Sequence, residues 1–136
     1  MTVYINGVER APVIWKSTAP TVMSDDNRTV GLAWTDLDLN VLTWTSDHAK
    51  FAILLLRMRS ITVGSGSYSA LGVRKNGTTP SYYPLVKPYI EAAANNDRFY
   101  AFVIVGMDSD QVIEYKINVG TGWEVDTDIT LLGYIE

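Results

Sequence analysis

The sequence predicts an all-β protein, an antiparallel β-sandwich preceded by an extended N-terminal arm. Three observations carry that reading. Apolar residues fall in short runs or alternate with polar ones, the two patterns of buried and half-buried strands. Turn signals recur at short intervals, at Asn6-Gly7, 64–67 (GSGS), Asn76-Gly77 and Thr121-Gly122. No long segment repeats with a helical period, and no unit of 20 to 50 residues recurs, which argues against propellers and solenoids.

Residues 1–20 read as the arm and residues 21–136 as the folded domain. Val3, Tyr4 and Ile5 suit a short strand closed by Asn6-Gly7. Val13, Ile14 and Trp15 form a second apolar patch between Pro12 and Pro20. Clusters this short do not build a layer, so they are expected to dock on this domain or on a neighbour. Residues 24–28 (SDDNR) read as a polar break, and a strand is expected over 29–34. In 35–45, Leu37, Leu39 and Val41 alternate with Asp36, Asp38 and Asn40, the mark of a half-buried edge strand or an ordered connection.

The longest strand candidate is 50–63. Its start, 51–56 (FAILLL), is apolar on both parities and reads as central, until Arg57 and Arg59 carry one face out of the core. A flexible loop is expected at 64–67, a strand over 68–75, an irregular proline-rich loop over 78–88 and one or two helical turns over 88–95. Residues 99–105 (FYAFVIV) are again apolar on both parities and predict a second central strand. The polar turn 106–110 then leads into 111–118, whose Glu114 and Lys116 place it nearer the surface or an edge. These two strands read as a hairpin at the heart of the sandwich, and 128–135 closes the chain as a last strand.

The 136 residues fit one domain with one core. A net charge of −4 gives no basic field for a phosphate backbone, so no nucleic-acid partner is expected. The apolar run at 51–56 is far short of the ~20 residues that span a bilayer, and no signal peptide is visible, so no membrane partner is expected. The absence of cysteine excludes disulfides, thiolate metal sites and a thiol nucleophile.

No constellation of acid, base and nucleophile can be assembled, so no catalytic residue, cofactor or metal is expected. His48, the one histidine, has Ser46 and Asp47 beside it, but sequence neighbours do not converge on one bond. The acidic pairs Asp25/Asp26, Asp36/Asp38, Asp108/Asp110 and Asp126/Asp128 each fall short of the six to eight oxygens calcium takes, and read as turn caps. Arg74 and Lys75 before Asn76-Gly77 read as a solvated strand end. Among the aromatics, Trp34 reads as core. Trp15 in the arm and Trp123 after a glycine turn are interface candidates, together with Val3, Tyr4, Ile5, Val13 and Ile14.

Four fragments carry a resemblance: VGLAWTDLDLN (30–40), LGVRKNGTT (71–79), FVIVGMDSDQVIEYKI (102–117) and TLLGYIE (130–136). Together they resemble the jelly-roll domains of tailed-bacteriophage virion proteins found in head fibres, capsid decorations and tail appendages. The resemblance spans residues 29–136 and implies a jelly-roll-like sandwich without enzyme activity. It implies a structural role in the virion, assembled in the host cytoplasm, with other virion proteins as partners and attachment to the host surface as an extension. It also implies a homo-oligomer, with a trimer favoured. The alternative is a carbohydrate-binding module that stacks host glycans on exposed aromatic residues such as Tyr82, Tyr83 and Tyr89.

Overall fold

The computed structural model describes the backbone of residues 3–5 and 8–136, and the side chains of residues 11–136 other than Leu42. The described residues form strands β1 (Val3–Ile5), β2 (Val8–Arg10), β3 (Val13–Trp15), β4 (Thr21–Arg28), β5 (Leu32–Asp38), β6 (Phe51–Thr62), β7 (Ala70–Lys75), β8 (Leu85–Val86), β9 (Arg98–Gly106), β10 (Val112–Asn118) and β11 (Glu124–Ile135). A 3-10 turn at Val41–Thr43 is the one helical element among them. β1 and β2 pair with each other, while the other strands make two antiparallel sheets packed as a β-sandwich.

The larger sheet is built on β6 and β11, which pair along nearly their whole length. β9 lies on the far side of β6. On the far side of β11, β3 and β4 lie end to end, pairing with its C-terminal and N-terminal parts. The smaller sheet runs β5-β10-β7-β8. The core fills the space between. Ala52, Leu54, Leu56 and Met58 project inward from β6, and Val125, Ile129 and Leu131 from β11. They meet Leu71 and Val73 of β7 and Ile113 and Ile117 of β10. Successive residues of a strand face opposite ways, so this inward set fixes which residues must face out.

Several sequence expectations change. Residues 51–56 do lie in a central strand, but 99–105 belong to an edge strand, since among the described residues β9 pairs with β6 alone. Strand β10 is central rather than an edge, flanked by β5 and β7. β9 and β10 are therefore no hairpin. The chain between them passes from one sheet to the other, with Met107 buried at the crossing and its N–H bonded to the Lys50 carbonyl. Residues 24–28 are part of strand β4, where several polar groups find partners. Ser24 Oγ donates to Asp128, Arg28 pairs with Asp25, and the Asn27 N–H donates to Asp126. The helical turns expected over 88–95 are turns and irregular chain with an isolated bridge between Tyr68 and Tyr89. The loop at 64–67 is pinned against 120–122 by the Gly66 N–H to Thr121 carbonyl bond.

Candidate interaction surface

The outward residues of the larger sheet follow from its register. At one end, Val13, Ile135 and Phe51 lie in one cross-strand row. In the next, Trp15, Gly133, Ile53 and Ile104 follow one another across the sheet. Then come Thr130, Leu55 and Phe102. Trp15 is 61% exposed, Phe102 58% and Ile104 49%, and Val13, Phe51 and Tyr100 are similarly open. Scattered exposed apolar residues are ordinary, but a contiguous apolar face on one sheet marks an interaction site.

The other end of the same face is charged. Its rows are Ser24, Asp128, Arg57 and Tyr100, then Asp126, Arg59 and Arg98. Arg57 forms an ion pair with Asp128 across adjacent strands, and Arg59 lies 3.5 Å from Asp126. Arg59 also donates to Asn96 Oδ1 at 2.8 Å. The face thus grades from apolar to ionic along the strand direction.

The smaller sheet's outer face is of another kind. Arg74 donates through Nε and NH2 to both carboxylate oxygens of Glu114, at 2.7 and 3.1 Å. The same guanidinium sits 4.1 Å from the centroid of the Trp34 ring, and Tyr83 meets that ring edge-on at 4.8 Å. Gly72 makes room for this, since a Cβ there would stand 2.5 Å from the Tyr83 ring. The Arg74 hydrogen bonds, and its charge, hold the Glu114 carboxyl below its ordinary range.

Val13 and Trp15 of the predicted interface set do stand on the open face, while Ile14, on the opposite parity, is half-buried. They reach it because β3 adds an edge strand to β11 of its own chain. Val3, Tyr4 and Ile5 form β1, and their side chains lie outside the described residues. Trp123 is no surface residue. It is 1% exposed in the core, with Nε1 donating to the Gly66 carbonyl at 2.8 Å. Gly120 allows that packing, as a Cβ would fall 2.7 Å from the indole. Trp34, read as core, is the half-buried centre of the Arg74 stack on the outside of the smaller sheet. Phe102 and Ile104 were missed as surface residues. Their signal is in the sequence, since every second residue from Tyr100 is large and apolar, but it is indistinguishable from that of a two-sided buried strand.

His48 is exposed at the rim of a cleft of about 440 Å³, beside Lys75, Asp108, Gln111 and Glu136. Ser46, its neighbour, commits its hydroxyl to Glu136. Asp108 caps its turn, accepting from the Asp110 and Val112 N–H groups and from Asn76. Burial alone raises the Asp108 pKa, but these hydrogen bonds and the Lys75 charge outweigh it and leave the carboxyl below its ordinary value. Asp38 accepts from the Asn40 N–H in a turn of the same kind. Among the described residues, no three His, Asp or Glu side chains are grouped to hold a metal ion. No protein-family model matches the chain, and no match is found among characterised proteins.

Proposed function

We propose that this chain is a non-enzymatic structural protein of a bacteriophage virion, a jelly-roll subunit in a capsid decoration, head fibre or tail appendage, and that it assembles through the outer face of its larger sheet. One observation carries the reading. A face containing Trp15, Phe51, Phe102 and Ile104 stands open among the described residues, and aromatic anchors in an apolar patch are what docking surfaces are made of. The virion context rests on the resemblance of the four fragments, and extends to other virion proteins as partners and to host attachment. The test is incorporation. Particles banded from a host that expresses the tagged chain during infection should contain it in fixed stoichiometry, and Phe102→Glu should reduce that amount severalfold. Absence of the chain from the particles would overturn the proposal.

A second reading, glycan binding, is favoured by Tyr82. It is 93% exposed and lines a groove with Pro80, Arg74 and Lys75. An open ring beside cationic donors suits a sugar stacked on its face. Saturable binding on a glycan array that is lost in Tyr82→Ala would support this reading over the first.

A further inference from the structure

We infer that the occupant of the open face is a second copy of this chain, stacked face to face about a two-fold axis that runs along the strands between β6 and β11. The inference rests on the reading of this face as an assembly surface and names its partner.

The register supplies the argument. Two copies stacked through one face are related by a two-fold axis lying in the plane between them. If the axis runs across the strands, it reverses the row order. The apolar end then covers the ionic end, and Arg57 and Arg59 lose water to apolar rows without gaining a partner. If the axis runs along the strands, each row meets itself with its order reversed. The four strand positions across the sheet are β3/β4, β11, β6 and β9. The axis at their centre therefore places β6 over the other copy's β11, and β9 over its β3 and β4. Arg57 then lies over the second copy's Asp128, and Arg59 over its Asp126. Ile104 lies over Trp15, while Ile53 and Gly133 between them are already covered within each copy. Phe51 meets Ile135, Ile104 meets Trp15, and Arg57 and Arg59 each meet a carboxylate, so the face is complementary to itself in this orientation.

The area is sufficient. At roughly 150–250 Å² for a large side chain, the open halves of Val13, Trp15, Phe51, Tyr100, Phe102 and Ile104 supply on the order of 500 Å² per copy. Two copies together thus reach the ~1,000 Å² that separates specific interfaces from casual contacts, before the ionic rows are counted. The pairing is isologous and closed. It makes a dimer instead of the trimer expected from the resemblance.

The chain's lack of cysteine makes the test clean. Sedimentation of the purified full chain at up to about 100 µM, a concentration at which micromolar complexes are populated, should give a dimer. Phe102→Glu and Trp15→Glu should each give a monomer with an unchanged circular dichroism spectrum. Two single-cysteine variants, Trp15→Cys and Ile104→Cys, set the register. In the proposed stack each mutated position lies over the other, so a short bis-maleimide should link the mixture of variants and neither variant alone. A native monomer, a trimer, a dimer unaffected by both glutamate variants, or self-linking of either cysteine variant in place of the mixture would overturn the inference. If the native chain is monomeric yet enters particles in a Phe102-dependent way, the second copy is wrong and the assembly surface stands. If neither self-association nor incorporation responds to Phe102→Glu, both fall.

Discussion

The two outer faces of the sandwich start from the same pleat and end in opposite states. On the smaller sheet the chain completes its own face. Arg74 holds Glu114 with two hydrogen bonds and covers Trp34, and Tyr83 closes the ring's edge from a loop that Gly72 lets in. On the larger sheet Phe51, Phe102 and Ile104 stand about half exposed among the described residues, and the arm adds the exposed side chains of Trp15 and Val13 beside them. A cation and a loop are what turn an aromatic strand face into a finished surface. Where neither is supplied, the apolar area stays exposed.

The sharpest break of this comparison is between the two faces of the larger sheet itself. Leu54 is fully buried in the core, whereas Phe102, on the outer face, stands open. Leu54→Asp would bury a carboxylate without a partner and is expected to abolish cooperative unfolding, seen as loss of a thermal transition by circular dichroism. Phe102→Asp on the same sheet should keep the transition within a few degrees. A folded Leu54→Asp variant would show the inward assignment to be wrong.

Next in size is the closed face. Arg74→Ala removes both hydrogen bonds to Glu114 and uncovers Trp34, and a loss of about 1–2 kcal/mol in denaturant titration is expected, charge-assisted bonds being partly screened near the surface. Arg57→Ala on the open face should cost less, because Arg57 is the more exposed cation and Asp128 keeps its bond from Ser24.

The same pair sets an acid dependence. Glu114 has its pKa lowered in the folded chain from an ordinary value of 4.5, so the unfolded chain takes up a proton first as pH falls. The stability this carboxylate contributes is therefore complete above that ordinary value. It is lost progressively as pH drops through the lowered folded value. Asp108 acts in the same sense from its ordinary 3.8. Stability of the native chain should decline below about pH 4.5, with a shallower decline in Arg74→Ala, whose Glu114 has lost its principal cause of depression. Identical slopes for the two proteins would remove Glu114 from the account.

These comparisons also mark what the sequence could disclose. The all-β sandwich was legible because alternation and turn signals are local properties. The central place of 51–56 was legible because the run is apolar on both parities and long. The same rule misplaced 99–105, since an apolar face reads alike whether another sheet covers it or it stands exposed. The polar stretch 24–28 looked like a break because its partners, Asp126 and Asp128, lie about a hundred residues away, and pairing at that distance leaves no local trace. Trp123 and Trp34 exchanged their expected places for a similar reason. A glycine turn before Trp123 suggested exposure, while the loop 64–67 that receives its indole N–H is remote in sequence. The cation that makes the outside of a sheet habitable for Trp34 is forty residues further on.

The smallest expected effect discriminates best between a finished face and an open one. In a chain whose strand 99–105 was covered on both sides, Ile104→Ala would leave a cavity and cost several kcal/mol. In the fold described here Ile104 is half-exposed on an edge strand, and the cost in dilute solution should be roughly 1 kcal/mol or less. Val103, next along β9, points into the core, so Val103→Ala should cost more although it removes a smaller side chain. The order of the two therefore inverts what side-chain size alone predicts. It should also depend on concentration. Where the chain self-associates, native Ile104 is covered by the second copy, and the penalty of Ile104→Ala should grow as protein concentration rises, while that of Val103→Ala stays constant. Chemical denaturation at two protein concentrations measures all four quantities. An Ile104→Ala penalty that exceeds the Val103→Ala penalty in dilute solution would place Ile104 in the core and close the face that the assembly reading needs open.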